Sequence, residues 1–387
     1  MLKMIRTASV LLLTMGIPVL AAQSNQANGA KQMKVCAAHW APPWVNWHLR
    51  PAGALAEADK AIGELVLLVD RAGAAGCDVF TLPEDTLGVL HWEVGNKPVM
   101  KEVLVPAVAR MLDRLGRAAA AHHMYLVCSS DTAEQDGSYR NTAFFLGRDG
   151  REIGRYYKVH PTITESDRVR GNSFPVFETP DLGGVGMLIC YDMVMPESSR
   201  SLALNGADVI FLSTMGGAVT TDDESLNRAA FRTRAADNYV YFVIAMRNGA
   251  MIISPQGTIL AETKRPGGIA MADIDPFGGR EGGDALNTQR DMRARLFRER
   301  NPAAYGVLTD PNPPVLRKIP ATLTIAEAVR IGSATLTSGE ERFAEAEALL
   351  RSGKSAEAAR AFTKLRKEFP GTWIDREAGK RLAEIHK

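Results

Sequence analysis

The chain has 387 residues, 46% of them apolar and 23% charged, ordinary proportions for a soluble globular protein. That length leaves room for one large domain and a smaller one, each with a core. The formal net charge is +2, and its basic residues are scattered among acidic ones without a long basic block or an aromatic stripe, so nucleic-acid binding is not expected.

The first thirty residues carry Lys3 and Arg6, an apolar run from Ala8 to Ala22, and small residues after it. This is the layout of a secretory signal peptide. The run is shorter than the roughly 20 residues a spanning helix needs, and Gly16 and Pro18 interrupt it. Residues 1–22 are therefore expected to be a signal peptide cleaved after Ala21 or Ala22, giving an exported protein. Retention as an anchor is the alternative. No later stretch is long and apolar enough to span a bilayer, so stable membrane insertion is not expected.

Beyond a polar linker, "MKVCAAHW" (33–40) reads as a strand, and residues 53–75 place Leu and Ala at helical spacing. "CDVFTLPE" (77–84) is a strand ending in a proline turn. A helix over 100–122 leads into the strand "MYLVCSS" (124–130). Residues 139–160 form two alternating runs around Asp149-Gly150, a hairpin signal. Four further strands follow at 184–192, 208–214, 239–246 and 249–257, with helices at 196–205 and 224–237 among them. Strands joined mostly by helices make this an α/β protein.

Near residue 276 the pattern stops. Residues 278–320 read as an arm and linker containing a charged helix at 290–300. Residues 339–387 read as three short amphipathic helices. Ala346, Leu349, Gly353, Ala358, Phe362 and Pro370 have the spacing of a tetratricopeptide repeat, but one and a half units are too few for a stacked core. A helical cap on the main domain or its dimer is expected; a docking module for a protein partner is the alternative. Of the four cysteines, Cys36, Cys77 and Cys128 sit in or beside strand-like runs. All four are expected as free thiols, three of them structural.

Three strand ends deliver reactive side chains: Glu84 after "VFTLP", Lys158 after "IGRYY" and Cys190 after "VGMLI". A free thiol has a pKa near ~8.5 and needs help to act as a nucleophile. A carboxylate can take its proton and pass it to a leaving amine. An ammonium, together with the backbone N–H after the cysteine, can hold an oxyanion. Those groups suffice for acyl transfer through a thioester, and no cofactor or metal is expected. His122-His123 lack a matching set of metal ligands. "GGVG" precedes a strand and is no dinucleotide fingerprint. Asp192 and Glu197 are expected to cap or pair within the helix after the cysteine, and Arg232 and Arg234 to brace the sheet or the subunit contact. Ser213, Thr214 and Met215 are expected in the pocket wall. "HWAPPWVNWHLRP" (39–51) either walls the pocket or packs on it.

"LPEDTLG", "GRYYKVHPT" and "LICYDMVMPESSR", in that order, resemble the three signature segments of the nitrilase superfamily of carbon–nitrogen hydrolases. The likeness spans residues 33–277. It implies a four-layer α-β-β-α sandwich, here with a small C-terminal all-α segment, associating as a homodimer or larger assembly. It also implies a catalytic Glu84, Lys158 and Cys190, a substrate-orienting Glu165, and an oxyanion-hole N–H at Tyr191. The family's nitrile-cleaving members follow the cysteine with Trp-Glu; Tyr-Asp here favours amides or carbamoyl amides. The leading expectation is an exported hydrolase of a small-molecule amide. An N-acyltransferase using the same acyl-enzyme and a non-catalytic scaffold are the alternatives.

Overall fold

Alternation along the first strand, β1 (Met33–Ala38), assigns each residue to one of two cores. Met33, Val35 and Ala37 belong to the core between two sheets, while Cys36 and Ala38 face a helical layer. In the computed structural model the described residues are 32–162, 165, 167–216, 226–278, 292–319 and 324–385. The expected signal peptide lies outside them. Among the described residues no helix is long and apolar enough to cross a membrane.

The first half of the chain supplies α1 (Pro51–Ala74), β2 (Val79–Thr81), α2 (Leu90–Gly95), α3 (Met100–Ala121), β3 (Tyr125–Ala133), β4 (Tyr139–Leu146) and β5 (Glu152–Tyr157). The second half supplies β6 (Val176–Thr179), β7 (Gly183–Ile189), α4 (Pro196–Leu204), β8 (Ala207–Thr214), α5 (Leu226–Asn238), β9 (Tyr241–Met246), β10 (Gly249–Ile253), β11 (Ile259–Thr263) and β12 (Ile269–Ile274). They form two six-stranded sheets, ordered β12-β1-β2-β3-β4-β5 and β11-β10-β9-β8-β7-β6. In each sheet three parallel strands, β1-β2-β3 and β7-β8-β9, are flanked by antiparallel ones.

Helices α1 and α3 cover the first sheet, α4 and α5 the second, giving the α-β-β-α sandwich. Helix α1 buries Ala54, Ala58, Ala61, Ile62, Leu65, Leu68, Val69 and Ala72, a stripe at helical spacing that faces the sheet. A Cβ at Gly184 would run into the carbonyl oxygen of Gly206, and one at Gly186 would press on Leu202. Glycine at these positions lets β8 and α4 close on β7.

Two expectations are corrected. Cys36 and Cys77 are not free: they form a disulfide with Cα atoms 6.0 Å apart. The cause is register. Strands β1 and β2 are parallel neighbours with Cys36 opposite Phe80, which brings the residue three before Phe80 within reach. Each thiol considered alone looks like a core residue. Cys128 and Cys190 are free.

The C-terminal segment also starts earlier than 339 and has a core of its own. After α6 (Met292–Arg298), α7 (Ile325–Ala334) runs through a π-helical turn, Thr335–Gly339, into α8 (Glu340–Arg351), α9 (Ser355–Glu368) and α10 (Trp373–Ile385). Phe343, Ala346, Ala358, Phe362, Leu365 and Ile374 pack together separately from the sandwich. Three helices with aromatic contacts therefore suffice without a stacked array.

The Cys36–Cys77 bond closes a loop of 41 residues, which on a chain-entropy basis stabilises the fold by about 3–4 kcal/mol. The Cys36→Ala/Cys77→Ala variant should lose about that much in urea titration. An unchanged midpoint would contradict the bond.

Candidate active site

Glu84 stands three residues beyond β2 and Cys190 immediately beyond β7, both at the carboxyl ends of parallel strands, where open α/β sheets place ligands. Two of the non-glycine residues with positive φ lie here: Asp85 at 50° and Cys190 at 44°. That region is disfavoured for side chains with a Cβ and is held only where the surroundings impose it. At Cys190 the chain passes from extended Ile189 into a 3₁₀ turn, Cys190–Val194, so the sulfur leaves the sheet and lines a cavity.

Side chains fix both bends. The Asp85 carboxylate accepts from the N–H groups of Val89 (2.9 Å) and Leu90 (3.3 Å), starting α2. Asp192 is buried and accepts from Ile189 N (3.1 Å), Tyr156 OH (2.7 Å) and His160 N (2.9 Å), with His160 Nδ1 at 3.0 Å. Asp192 thus reaches beyond the helix after the cysteine, the place expected for its capping or pairing, and clamps the cysteine turn to the segment just after Lys158.

Lys158 is buried and its Nζ donates to Glu84 Oε1 (2.9 Å) and Glu165 Oε2 (2.8 Å). The amide of Asn141 spans the same two carboxylates, donating to Glu84 Oε1 and Glu165 Oε1 at 2.9 Å each. Met215 N donates to Glu84 Oε2 (3.2 Å), and Thr162 N and Oγ1 donate to Glu165 Oε2 (2.8 and 2.9 Å). Cys190 lines the same cavity as Glu84, Lys158 and Glu165, close enough for the Glu84 and Lys158 charges to act on its thiol. Glu84 thus holds the ammonium and borders the cavity of the thiol. The cavity over the sulfur measures about 90 Å³.

Burial and charge together set the resting protonation state. Burial pushes Glu84 above the usual carboxylate range, with Lys158 opposing and the nearby Glu165 charge adding to the rise. Burial alone would lower Lys158; the charges of Glu84 and Glu165 outweigh it and hold the ammonium firmly protonated. Glu165 resists its own burial because of Lys158 and falls to about 2. Burial and the Glu84 charge push the Cys190 thiol up to about 12, with Lys158 opposing. With two carboxylates and one ammonium already enclosed, a thiolate would be a second uncompensated charge. Cys190 rests as a thiol beside a carboxylate, and moving its proton to Glu84 leaves the total charge unchanged.

The loop carrying Glu165 is pinned by another buried cluster. Arg168 donates through Nε to Asp131 (2.5 Å) and through Nη2 to Glu93 (2.7 Å), and pairs with Asp167 (3.1 Å). Burial and the Asp131 charge raise Glu93 well above the carboxylate range.

The structure therefore brings Glu84, Lys158, Glu165 and Cys190 together and sets Thr214 and Met215 beside them. Ser213 instead bonds the Leu82 carbonyl (2.8 Å). Tyr191 follows the sulfur with its side chain at the surface. Arg232 bonds the Gly257 carbonyl (2.8 Å), and His122 pairs with Asp70 (3.1 Å). Among the described residues no group of three or more His, Cys, Asp or Glu is arranged to hold a metal. Sequence reasoning missed Asn141 and Arg168; neither lies in a recognisable motif.

The sequence pattern of the carbon–nitrogen hydrolase family matches residues 41–280. Deaminated glutathione amidase of Synechocystis sp. is 29% identical over 235 residues, covering 54% of this chain and 84% of that protein. The human protein of that name is 27% identical over 201 residues, covering 46% and 58%. A solved amidase from Nesterenkonia sp. has the same fold, with a TM-score of 0.52 and 20% identity over 70% of this chain and 96% of its own. Another structure of that amidase (TM-score 0.53, 20% identity, 71% and 99% coverage) carries the acetamide moiety of fluoroacetamide on its active-site cysteine.

Alkylation of Cys190 by iodoacetamide should show an acid limb set by Glu84, which must be ionised to take the thiol proton. Because the Glu165 charge helps raise Glu84, Glu165→Gln should move that limb to lower pH. A limb that stays or moves upward would contradict the coupling.

Proposed function

Because the chain belongs to the carbon–nitrogen hydrolase family, we propose that it is an exported thiol amidase that hydrolyses a short non-peptide amide through a thioester on Cys190. Glu84 takes the thiol proton as the sulfur attacks the amide carbon. Lys158 spends two N–H groups on carboxylates and offers the third to the oxyanion, joined by the Tyr191 backbone N–H. Glu84 then gives the proton to the leaving nitrogen, and ammonia or an amine departs. A water deprotonated by Glu84 opens the thioester, releasing the acid and restoring the thiol. The observation that carries this reading is the Glu84 carboxylate bonded to the Lys158 ammonium in the cavity that Cys190 lines.

A short substrate is supported by the cavity of about 90 Å³, far below the roughly 300–1,000 Å³ of sites for larger ligands. It is smaller than relatives named for deaminated glutathione would suggest. Export is supported by the signal-like first residues and by the Cys36–Cys77 bond, since disulfides persist in oxidising compartments. Assembly as a homodimer or larger oligomer is supported by Val307, Leu308, Val315, Leu316 and Ile319, each more than half exposed on one arm.

Purified protein should release ammonia from a panel of acetamide, propionamide and butyramide. Cys190→Ala should abolish the release, and Glu84→Gln should lower kcat about 10²–10⁴-fold. Ammonia release surviving in Cys190→Ala would rule out the thioester. Light scattering of the mature protein should give a dimer or more; a monomer mass would remove the assembly.

A further inference from the structure

The pocket over Cys190 is bounded partly by a residue that belongs to neither sheet. Leu336, on the π-helical turn of the C-terminal segment, lines it together with Glu84, Lys158, Cys190 and Met215. Leu336 also lines a second cavity of about 280 Å³, bounded by Trp44, Trp47 and His91 on one side and Glu340 and Ala344 on the other. One leucine side chain thus stands at both spaces.

The turn that carries it is held from several directions. It packs against α2. The hydroxyls of Thr335 and Thr337 donate to the carbonyls of Ile331 (2.8 Å) and Ser333 (2.7 Å), closing the helix on either side of Leu336. A Cβ at Gly339 would collide with Phe369 and Ile374, so glycine lets the small helical core press directly on the turn. Just beyond it, Trp47 Nε1 donates to Glu341 (2.8 Å), and His91 Nε2 lies 3.4 Å from Glu340. A π turn inserts one residue into the helical ladder and re-aims the side chains around it, which is why such turns recur at functional sites.

We propose that Leu336 is the specificity-determining wall of the Cys190 pocket, so that the C-terminal helical segment sets the longest acyl chain the enzyme accepts. This rests on the amidase reading above. With Leu336 in place the acyl group is confined to the space beside the sulfur. With its isopropyl group removed, that space opens toward the second cavity, where Trp44, Trp47, Val45 and Ala344 offer an apolar path for an alkyl chain beside the polar His91, Glu340 and Glu341. Each methylene accommodated in an apolar pocket changes kcat/KM by about tenfold or more.

The test compares full-length wild type, Leu336→Ala and Leu336→Phe on straight-chain primary amides from acetamide to hexanamide, with far-ultraviolet circular dichroism confirming the fold of each. The ratio of kcat/KM for hexanamide to that for acetamide should rise at least about tenfold in Leu336→Ala and fall in Leu336→Phe. An unchanged ratio in a folded Leu336→Ala, or no fall in Leu336→Phe if the alanine variant unfolds, would overturn the proposal. Alkylation of Cys190 by iodoacetamide and its N-hexyl derivative gives the same comparison without turnover. A shifted alkylation ratio in a protein that cleaves no amide supports the wall while refuting the amidase.

Discussion

A lysine ammonium removed from water costs several kcal/mol unless opposite charge and hydrogen bonds surround it. Lys158 meets that demand with two carboxylates, and much of the site follows from supplying them. Glu84 arrives from a strand end of the first sheet, Glu165 from the loop after Lys158, and Asn141 from the neighbouring strand ties the carboxylates to each other. The enclosed charge is then one negative in excess, and burial together with the Glu84 charge pushes the Cys190 thiol up to about 12. The lysine therefore organises the site before it contributes to any chemistry.

The sandwich is what makes this convergence possible. Cys190 belongs to the second sheet, and Glu84 and Lys158 to the first, so the site exists only while the sheets stay packed face to face. Ser213 crosses between them to the Leu82 carbonyl, and Met215 N crosses to Glu84. Asp192 reaches from the cysteine turn to Tyr156 and His160. These polar links sit at the rim of a core of Val, Ile, Leu and Phe that supplies the adhesion. The apolar layer brings the sheets together, and the polar rim sets their relative placement at the level catalysis needs.

Glu84, Lys158 and Cys190 each end a strand-like run, yet singly each reads as an ordinary turn, surface or core residue; it is the three signature-like segments in order that mark them. Asn141 carries no such mark: a polar residue within an alternating strand reads as solvent-facing, and only the fold shows that it meets Glu84 and Glu165. Arg168 likewise gains its meaning from Glu93 and Asp131, distant in sequence. The disulfide depended on strand register, which single-residue patterns do not carry. The start of α7 does carry a sign in the sequence. Thr324 and Glu327 form a capping box, with Thr324 N donating to Glu327 Oε2 (3.0 Å) and Glu327 N to Thr324 Oγ1 (3.3 Å). The π turn beyond it has no comparable sequence signal.

The central claim is that Glu84 receives the Cys190 proton during attack, within a cluster whose total charge does not change. Acid quench of the protein within its first turnover of propionamide, followed by mass spectrometry of the Cys190 peptide, tests that step directly. The wild-type peptide should carry a propionyl group, and Glu84→Gln should carry almost none over the same interval. Equal acylation of the two would contradict the account.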